Sequence, residues 1–357
     1  MLDIKLKKEK ADIVADYRRQ LQKSPKLKYL FLELTSHCNE SCLHCGSRCG
    51  EFEYDELTFD DYKHILNTVK EDFDIRKMML CITGGEPLLR PDFFEIMNYA
   101  KSLGFTWGMT SNGTLIDDEV TKQLYDAGMG TIAVSIDGLP EYHDAFRRTP
   151  GGYDAAMKGL HSLVNFGKFK DVMVTTVITH QNIDQLDALY EIFQNIDIDT
   201  WRVINMEPMG RANDYPELLL TADDYIRLFE FIRSKRIANE NVTYGCGHYL
   251  GDEYEGELRD WFYMCIAGTQ VASIASNGDI LACLDIERRP ELVQGNILRD
   301  SLKDVWTRGF GVFRRDLGDL SGKCRECDSL EFCHGGAHHS WDYDRNEQRV
   351  CFRGILF

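Results

Sequence analysis

The length, composition and charge of this chain exclude several classes of protein. Its 357 residues, 43% of them hydrophobic, suit one large α/β unit with a smaller domain. It has no run of eighteen apolar residues, so we expect no membrane span, and its net charge of −17 argues against nucleic acid as the main partner. No apolar N-terminal export signal is present, so the twelve cysteines are expected to be metal ligands or reduced thiols in an oxygen-poor cytoplasm.

Residues 1–27 are predicted to form a basic helical segment. Residues 1–28 contain nine Lys/Arg against four acidic residues. Apolar residues recur at helical spacing over 8–22, and Pro25 ends this pattern. The charge of the segment fits either a solvated basic helix face or a docking surface for an acidic partner or peptide.

Residues 28–238 alternate between buried-strand patterns and amphipathic helical patterns. Strands separated by helices of this length form βαβ units, which build a parallel sheet. Six units are too few for a closed eight-stranded barrel, and the functional residues of such folds lie at the carboxyl ends of the strands. The strands are predicted at 28–34, 78–82, 105–110, 131–136, 172–178 and 201–206, and the helices between them at 59–72, 91–103, 117–127, 153–166 and 183–194.

A cysteine loop follows the first predicted strand. Cys38, Cys42 and Cys45 have a C-x3-C-x2-C spacing, and three thiolates on a short loop can hold an iron–sulfur cluster that keeps one iron open. A zinc-binding loop or three unrelated buried cysteines are the alternatives. The motif resembles that of the radical S-adenosylmethionine (SAM) enzymes, in which the open iron of a [4Fe–4S] cluster chelates SAM. The resemblance implies a partial (β/α)6 parallel barrel over residues 28–238.

A glycine-rich turn follows the second predicted strand. Gly84 and Gly85 let the backbone approach a ligand closely, and Glu86 can accept a hydrogen bond from an ammonium group. By the resemblance, this Gly-Gly-Glu-Pro stretch binds the amine of SAM. The resemblance also places His44 where the family often has an aromatic residue against the SAM adenine; the alternative is an unpaired surface histidine.

The fourth predicted strand leads into the sequence S-I-D-G-x5-D-x2-R, which begins at Ser135. This segment resembles the SAM-contacting strand and loop of peptide-modifying radical SAM enzymes. The resemblance implies that Ser135 holds the ribose of SAM and that Arg147, with its planar guanidinium, pairs with the SAM carboxylate. The alternatives are a polar strand end and a surface ion pair. Met206, Glu207 and Met209 end strand six, where the family contacts adenine, and no choice is made among them.

Cysteines return in the C-terminal third, around a predicted hairpin turn at Asn277-Gly278. The pattern C-x12-G-x4-C, followed by C-x2-C-x5-C and one more cysteine, resembles the SPASM extension, which carries auxiliary iron–sulfur clusters. A zinc site is the alternative. The resemblance implies an outer auxiliary cluster with the ligands Cys324, Cys327, Cys333 and Cys351.

The inner auxiliary cluster that the resemblance implies is incomplete. The family has a cysteine where this chain has Ala337, which leaves Cys265 and Cys283 as ligands. Without a replacement ligand, the site would hold a cluster with an iron open to substrate, a smaller cluster, or none. One or two auxiliary clusters are therefore predicted. The candidate replacement ligands are Cys246, His338 and His339.

These patterns predict an α/β protein with three regions. They are a basic N-terminal helix over 1–27, a radical SAM partial barrel over 28–238, and a small cysteine-rich domain of SPASM type over 239–357. The resemblance implies reductive cleavage of SAM to a 5′-deoxyadenosyl radical, which abstracts a hydrogen atom from a peptide or small-protein substrate. An external donor of flavodoxin or ferredoxin type would supply the electron.

Several alternatives stay open at this point. The chain could instead be a sulfatase-type protein maturase, a small-molecule dehydrogenase or cofactor-biosynthesis enzyme, or a non-catalytic iron–sulfur electron carrier. Cross-linking of a peptide needs an electron acceptor, whereas epimerisation needs a hydrogen donor. Cys49, which follows the cysteine loop, and Cys81 are candidate donors, although a small buried hydrophobic role fits each of them as well. The substrate and the bond formed are not readable from the sequence.

Overall fold

The computed structural model describes residues 4–51 and 55–357, so residues 1–3 of the predicted basic segment lie outside the described residues. Across the described ranges, none of the helices combines the length and the apolar character needed to cross a bilayer. The helices are α1 (Ile4–Lys23), α2 (Phe59–Asp72), α3 (Phe93–Leu103), α4 (Asp118–Asp126), α5 (Pro140–Arg147), α6 (Gly152–Phe166), α7 (Leu186–Gln194), α8 (Ala222–Ile237), α9 (Gly251–Tyr254), α10 (Leu302–Arg308), α11 (Gly322–Arg325) and α12 (Leu330–Cys333). The strands are β1 (Tyr29–Glu33), β2 (Met79–Thr83), β3 (Thr106–Ser111), β4 (Met129–Ser135), β5 (Asp171–Ile178), β6 (Thr200–Asn205), β7 (Val242–Tyr244), β8 (Val271–Ile274), β9 (Asp279–Leu281), β10 (Gly295–Asn296), β11 (Trp341–Asp342) and β12 (Glu347–Gln348).

One sheet organises the molecule. Its strand order is β10-β9-β8-β1-β2-β3-β4-β5-β6-β7, and β1 to β7 run parallel to one another. β10 and β7 are the two edges of the sheet, so the barrel is open. The six predicted strands and the helices between them are confirmed, and with them the predicted α/β partial barrel.

The two faces of the sheet differ in burial. Leu30 and Leu32 of β1 lie beside Leu80 and Ile82 of β2, and all four side chains are buried. Successive side chains of a strand point to opposite faces, so these residues face the helices, and Cys81 lies on the concave side. The apolar alternation therefore fixes which residues line the interior of the barrel.

The sheet extends beyond the six predicted strands at both edges. β7 adds a seventh parallel strand, and the hairpin β8–β9, predicted from its turn, pairs through β8 with β1. Gly278 has φ +89°, as this turn requires. The backbone N–H and hydroxyl of Ser276 both donate to the Glu33 carboxylate at the end of β1. The sheet thus crosses the predicted boundary after residue 238, and the division of the chain into three regions stays a prediction.

The basic helix α1 packs on the C-terminal part of the chain. The Lys7 ammonium is 2.7 Å from the Glu257 carboxylate and also donates to the backbone carbonyl of Asp252. Arg18 pairs with Asp316. Lys7 and Arg18 are buried, so these two cations belong neither to a solvated face nor to a free docking surface.

Candidate active site

The cysteine loop lies at the carboxyl end of β1. Cys38, Cys42 and Cys45 are half-buried, and the charge of Cys38 interacts with those of the other two. Burial raises the pKa of Cys38 to about 11 and also raises that of Cys42. The pKa of Cys45 is lowered to about 6 because its sulfur accepts a hydrogen bond from the Cys49 thiol. The role of Cys49 as a hydrogen donor stays a prediction, and its thiol lies against Cys45.

The glycine-rich turn is hydrogen-bonded to the backbone of the cysteine loop. The Glu86 N–H donates to the His37 carbonyl at 2.9 Å. A Cβ at Gly85 would lie 2.0 Å from the His37 carbonyl oxygen and 2.9 Å from Cys38 Cβ, and a Cβ at Gly84 would meet the same loop at 2.6 Å. The glycines are therefore needed for the close contact of two loops, whereas the sequence had indicated a close approach to a ligand.

Glu86 joins the ends of two neighbouring strands. Its carboxylate accepts hydrogen bonds from the Ser111 hydroxyl at 3.0 Å and from the Asn112 N–H at 2.9 Å. The side chain is fully buried, and this burial raises its pKa to about 7. Ser111 and Asn112, at the end of β3, thus hold the carboxylate in place. The predicted contact of Glu86 with the amine of SAM stays a prediction.

Helix α5, which was not predicted from the sequence, supports the cysteine loop. Leu43 N–H donates to the Phe146 carbonyl at 2.9 Å, and Ser41 N–H donates to the Arg147 carbonyl at 3.3 Å. Both acceptors lie at the C-terminal end of the helix, where carbonyls lack intrahelical partners. Pro140 at the first helical position was the signal that could have revealed this helix.

Arg147 lies in a buried charge network. Its Nε is 2.7 Å from an Asp137 oxygen, and its Nη1 is 2.7 Å from a Glu40 oxygen. Burial raises the pKa of Asp137, but the charge of Arg147 together with smaller effects of its other neighbours outweighs burial and keeps the pKa lowered. The alternative of a surface ion pair for Arg147 is wrong, because all three side chains are buried. Two protein carboxylates already bind the guanidinium, and its pairing with the SAM carboxylate stays a prediction.

His44 and Ser135 lie at the same edge of the sheet. The His44 ring stacks on Phe146, with the ring centroids 4.7 Å apart and the planes 14° apart. Burial lowers the pKa of His44 to about 4, so the ring is neutral near pH 7. The same burial excludes the alternative of a surface histidine. Ser135 is half-buried at the end of β4, beside Thr175 of β5. Their predicted contacts with adenine and ribose stay predictions.

Arg211 was not found from the sequence, yet it holds the cysteine loop. Its backbone N–H donates to the Cys45 carbonyl at 3.0 Å. Its guanidinium donates to the carbonyls of Cys42 at 2.8 Å and Cys49 at 2.7 Å. A Cβ at Gly210 would lie 2.4 Å from the Cys45 carbonyl, which explains the glycine before this arginine. The segment after β6 therefore closes over the loop.

The other residues at the end of β6 separate into different environments. Met206 is buried in a small apolar cluster, and Met209 Sδ lies 3.1 Å from a Cβ built at Gly46 in the cysteine loop. Glu207 instead hydrogen-bonds His248, with 2.5 Å between the oxygen and Nε2. Burial raises the pKa of Glu207, but the effect of His248 outweighs it, and the pKa is lowered to about 2. Met209 thus lies against the cysteine loop, and Leu43 of the same loop packs against the cluster that contains Met206.

Four C-terminal cysteines lie around one cavity. Cys324, Cys327, Cys333 and Cys351 all line it, and the charge of Cys333 interacts with those of the other three. Burial raises the pKa of Cys333 to about 12. The structure thus brings together the residues predicted to hold the outer auxiliary cluster, and that cluster assignment stays a prediction.

Cys265 and Cys283 lie at the opposite end of the barrel from the cysteine loop. Cys265 precedes β8, which runs parallel to β1, and Cys283 follows the antiparallel β9, so both lie at the amino edge of the sheet. Their charges interact, and the Cys283 thiol donates to the Asp285 carboxylate at 3.6 Å. Two thiols alone do not complete a four-cysteine cluster site.

The three candidate replacement ligands have other partners. His338 Nδ1 is hydrogen-bonded to the Tyr343 hydroxyl at 2.8 Å. The Cys246 thiol donates to the Asn205 carbonyl at 3.8 Å. His339 lies beside His248, with 5.5 Å between the ring centroids. These contacts define the surroundings of each side chain and leave the inner cluster a prediction.

The residues of the cysteine loop fit an iron–sulfur cluster with a polar ligand beside it. Three half-buried thiols on one short loop interact through their charges, and sulfur is the donor that iron–sulfur clusters require. Among the described residues, Glu40 Oε1 and His44 Nδ1 are buried without a hydrogen-bond partner. Buried polar atoms are normally satisfied, so a bound molecule with its own polar groups would complete the site.

Known proteins resemble this chain over most of its length. The chain is 31% identical to the mycofactocin maturase MftC of Mycobacterium tuberculosis over 309 residues, 85% of this chain and 76% of that protein. It is 29% identical to the AdoMet-dependent heme synthase of Methanosarcina barkeri over 85% of this chain and 89% of that protein.

Solved structures share the fold. Streptococcus suis SuiB bound to S-adenosylmethionine has a TM-score of 0.73 and 21% identity, covering 94% of this chain and 79% of that chain. The structure of anSMEcpe with bound AdoMet and the Cp18Cys peptide has a TM-score of 0.71 and 20% identity, covering 91% and 93%.

Two family models also match the chain. Residues 32–193 match the radical SAM superfamily, and residues 265–328 match SPASM, described as an iron–sulfur cluster-binding domain. The first match spans the cysteine loop, the glycine-rich turn and α5, and the second contains Cys265, Cys283, Cys324 and Cys327. The chain therefore belongs to the radical SAM superfamily and carries a C-terminal SPASM domain.

Proposed function

We propose that this enzyme modifies a peptide by radical SAM chemistry, as a maturase of a ribosomally made peptide that forms a cross-link, an epimer or an oxidised residue. Cys38, Cys42 and Cys45 would hold the [4Fe–4S] cluster, and SAM would lie beside the 84–86 turn. When bound, the reduced cluster and SAM supply a 5′-deoxyadenosyl radical that removes a hydrogen atom from the substrate. An external flavodoxin- or ferredoxin-type protein would donate the electron in an oxygen-poor cytoplasm.

The observation that carries SAM cleavage is the fastening of the cysteine loop. The loop is hydrogen-bonded to the glycine-rich turn, to the end of α5 and to Arg211. A loop fixed on three sides keeps its thiols in place, and positioning of this kind is what the protein contributes when a cofactor carries the chemistry. An electron carrier would need a cluster but not the residues that the resemblance assigns to SAM, such as the 84–86 turn, Ser135 and Arg147.

The peptide substrate is supported by a relative. MftC, which is 31% identical, is named a maturase. SuiB has been solved with its precursor peptide SuiA, and anSMEcpe with the Cp18Cys peptide. The two solved structures share the fold with this chain at 20% identity, so their peptides describe those proteins. The maturase relative therefore favours a peptide, and the auxiliary cysteines suit an oxidation that needs an electron acceptor.

A second candidate is a small-molecule reaction in cofactor biosynthesis. The AdoMet-dependent heme synthase of Methanosarcina barkeri is 29% identical and aligns over 89% of its own length. Under this alternative the barrel would bind a tetrapyrrole. Binding of an iron porphyrin by the cluster-loaded protein, followed through its visible absorption, would distinguish this alternative from a peptide substrate.

The test of the proposal is SAM cleavage by the anaerobically reconstituted, reduced protein. The wild type is expected to produce 5′-deoxyadenosine, measured by chromatography, and Cys38→Ala is expected to produce none. Cys81→Ala, which removes a thiol from β2 rather than from the loop, serves as the matched control and should still cleave SAM. Production of 5′-deoxyadenosine by the Cys38→Ala protein would contradict the cluster assignment.

A further inference from the structure

A second group of metal-ligating side chains includes no residue of the cysteine loop. Glu207 follows β6, His248 follows β7, and His339 comes from the C-terminal segment. One ligand atom from each lies within 4.8 Å of the other two. Three chain segments that are far apart in sequence therefore bring one carboxylate and two imidazoles to a single point.

The group is largely buried, and its two rings are not stacked on each other. Glu207 is 9% exposed and His248 is 3% exposed. The His248 and His339 rings meet at 66° and are not stacked. Rings at such an angle can each direct one nitrogen toward a common ion.

The carboxylate of this group is positioned by its neighbours. Asn205 Nδ2 donates to Glu207 Oε1 at 2.8 Å, and the Tyr244 hydroxyl donates to Asn205 Oδ1 at 2.5 Å. The other carboxylate oxygen, Oε2, is buried and has no hydrogen-bond partner among the described residues. Leaving a charged oxygen buried and unsatisfied is costly, and a bound cation would satisfy it.

We propose that Glu207, His248 and His339 bind one mononuclear divalent transition metal, Zn²⁺ or Fe²⁺. Two imidazoles and one carboxylate are the ligands of such ions, whereas Mg²⁺ and Ca²⁺ prefer oxygen alone. Hydrogen bonds from neighbours that orient a ligating carboxylate, as Asn205 does here, are known to tune the affinity of a metal site. This site shares no residue with the cysteine loop and does not depend on the identity of the substrate.

His339 lies two residues beyond Ala337, in the stretch where the sequence pattern leads one to expect a cysteine. A nitrogen ligand there could serve either a mononuclear ion or an iron–sulfur cluster. The side chains that gather around His339 decide in favour of the ion, because its close ligating neighbours are an imidazole and a carboxylate. A mononuclear site binds metal without acid-labile sulfide, which separates the two assignments by measurement.

The experiment uses the anaerobic holoenzyme with its clusters intact, mixed with Zn²⁺ and then desalted. About one Zn²⁺ per chain is expected to remain, with unchanged sulfide, and X-ray absorption at the zinc edge should show nitrogen and oxygen ligands at about 2.0–2.2 Å. Glu207→Gln and His339→Ala are expected to weaken zinc binding by about tenfold or more, as loss of one ligand or its orientation does. The adjacent His338→Gln is the matched control and should bind zinc normally.

Three results would overturn the proposal. They are a wild type that retains no zinc and carries no iron beyond its clusters, zinc ligated by sulfur, and variants that bind zinc as the wild type does. Loss of sulfide from His339→Ala would also overturn it, because His339 would then be a cluster ligand. If a variant does not fold, the zinc-edge spectrum of the wild type alone decides.

Discussion

At the scale of single residues, the site depends on glycines, which have no side chain, as much as on the residues with functional side chains. Gly85 permits two backbones to meet where a Cβ would lie 2.0 Å from a carbonyl oxygen. The adjacent Glu86 carboxylate then fastens the turn to the end of β3. Small changes in the glycine-rich turn are therefore expected to displace the cysteine loop directly.

Replacing Gly85 with alanine is expected to displace the cysteine loop. A Cβ there overlaps the His37 carbonyl and Cys38, and such overpacking typically costs about 1–3 kcal/mol. If half of that cost is added to the activation barrier of SAM cleavage, the rate drops by about tenfold or less. If all of it is added, the rate drops by about a hundredfold. Unfolding in urea and the rate of 5′-deoxyadenosine formation measure the two effects. Gly311→Ala is the control, since a Cβ at that position would meet nothing within 4 Å, and equal behaviour of the two variants would contradict the prediction.

The stability of the cluster-free protein should depend on pH through His44. Burial lowers its pKa to about 4, whereas an unfolded histidine titrates near 6.5. Protons therefore bind the unfolded chain preferentially in this window, and stability is lost as pH falls from about 6.5 to about 4, by up to about 1.4 kcal/mol per pH unit. Phenylalanine keeps a ring beside Phe146 but binds no proton. His44→Phe should thus gain stability relative to the wild type as pH falls.

Urea unfolding of the cluster-free protein at several pH values measures this difference. The exposed His64 on α2 supplies the control, because His64→Phe should follow the wild-type curve. Parallel curves for the wild type and His44→Phe would show that His44 is not the group responsible.

At the scale of elements, α5 connects the fold to the site. Its C-terminal carbonyls accept hydrogen bonds from the cysteine loop, and Arg147 at its end reaches Glu40 in that loop and Asp137 after β4. One short helix thus joins three parts of the site. Its own apolar face contributes Phe146, on which His44 stacks.

Replacing Arg147 with methionine is expected to destabilise the protein strongly. It leaves Glu40 and Asp137 buried without their cation, and breaking a buried pair in this way costs about 3–5 kcal/mol. The midpoint of urea unfolding measures the loss. Arg148→Met changes the exposed neighbour and should have little effect. A normal midpoint for Arg147→Met would show that the two acids do not need this arginine.

The elements with strong local signals were predictable from the sequence. Thr58 caps α2 through a capping box with Asp61, and Gly104 ends α3 in the left-handed conformation. The cysteine spacing likewise located the loop. The contacts of Glu40 and Arg211 were not predictable, because they depend on segments that meet only in the folded chain. Tertiary contacts of this kind leave no periodic pattern.

At the scale of the whole molecule, one sheet joins the radical SAM and SPASM parts. The hairpin β8–β9 adds to the barrel beside β1, and α1 packs against the C-terminal part through Lys7 and Arg18. Two cysteine groups outside the loop are held in this frame. The sheet and the packing of α1 should therefore be retained when the cysteine loop loses its thiols.

A variant with Cys38, Cys42 and Cys45 all changed to alanine is expected to retain about four irons and four sulfides per chain. The reason is that four other cysteines line one cavity. Iron and acid-labile sulfide analysis measures the content, and about eight irons would mean that the inner site also holds a cluster. Adding Cys327→Ala should lower the content further. An iron-free triple variant would contradict the outer cluster assignment.

The placement of Cys265 and Cys283 at the amino edge of the sheet gives the barrel a polarity. β1 has five residues, so its two ends are on the order of 16 Å apart. The thiols at one end and the cysteine loop at the other are thus separated by the length of the interior. A substrate held in that interior would lose a hydrogen atom toward one end and could pass an electron toward the other. Such a substrate would itself bridge the two ends, and the positions of the two cysteine groups would set the direction in which charge moves.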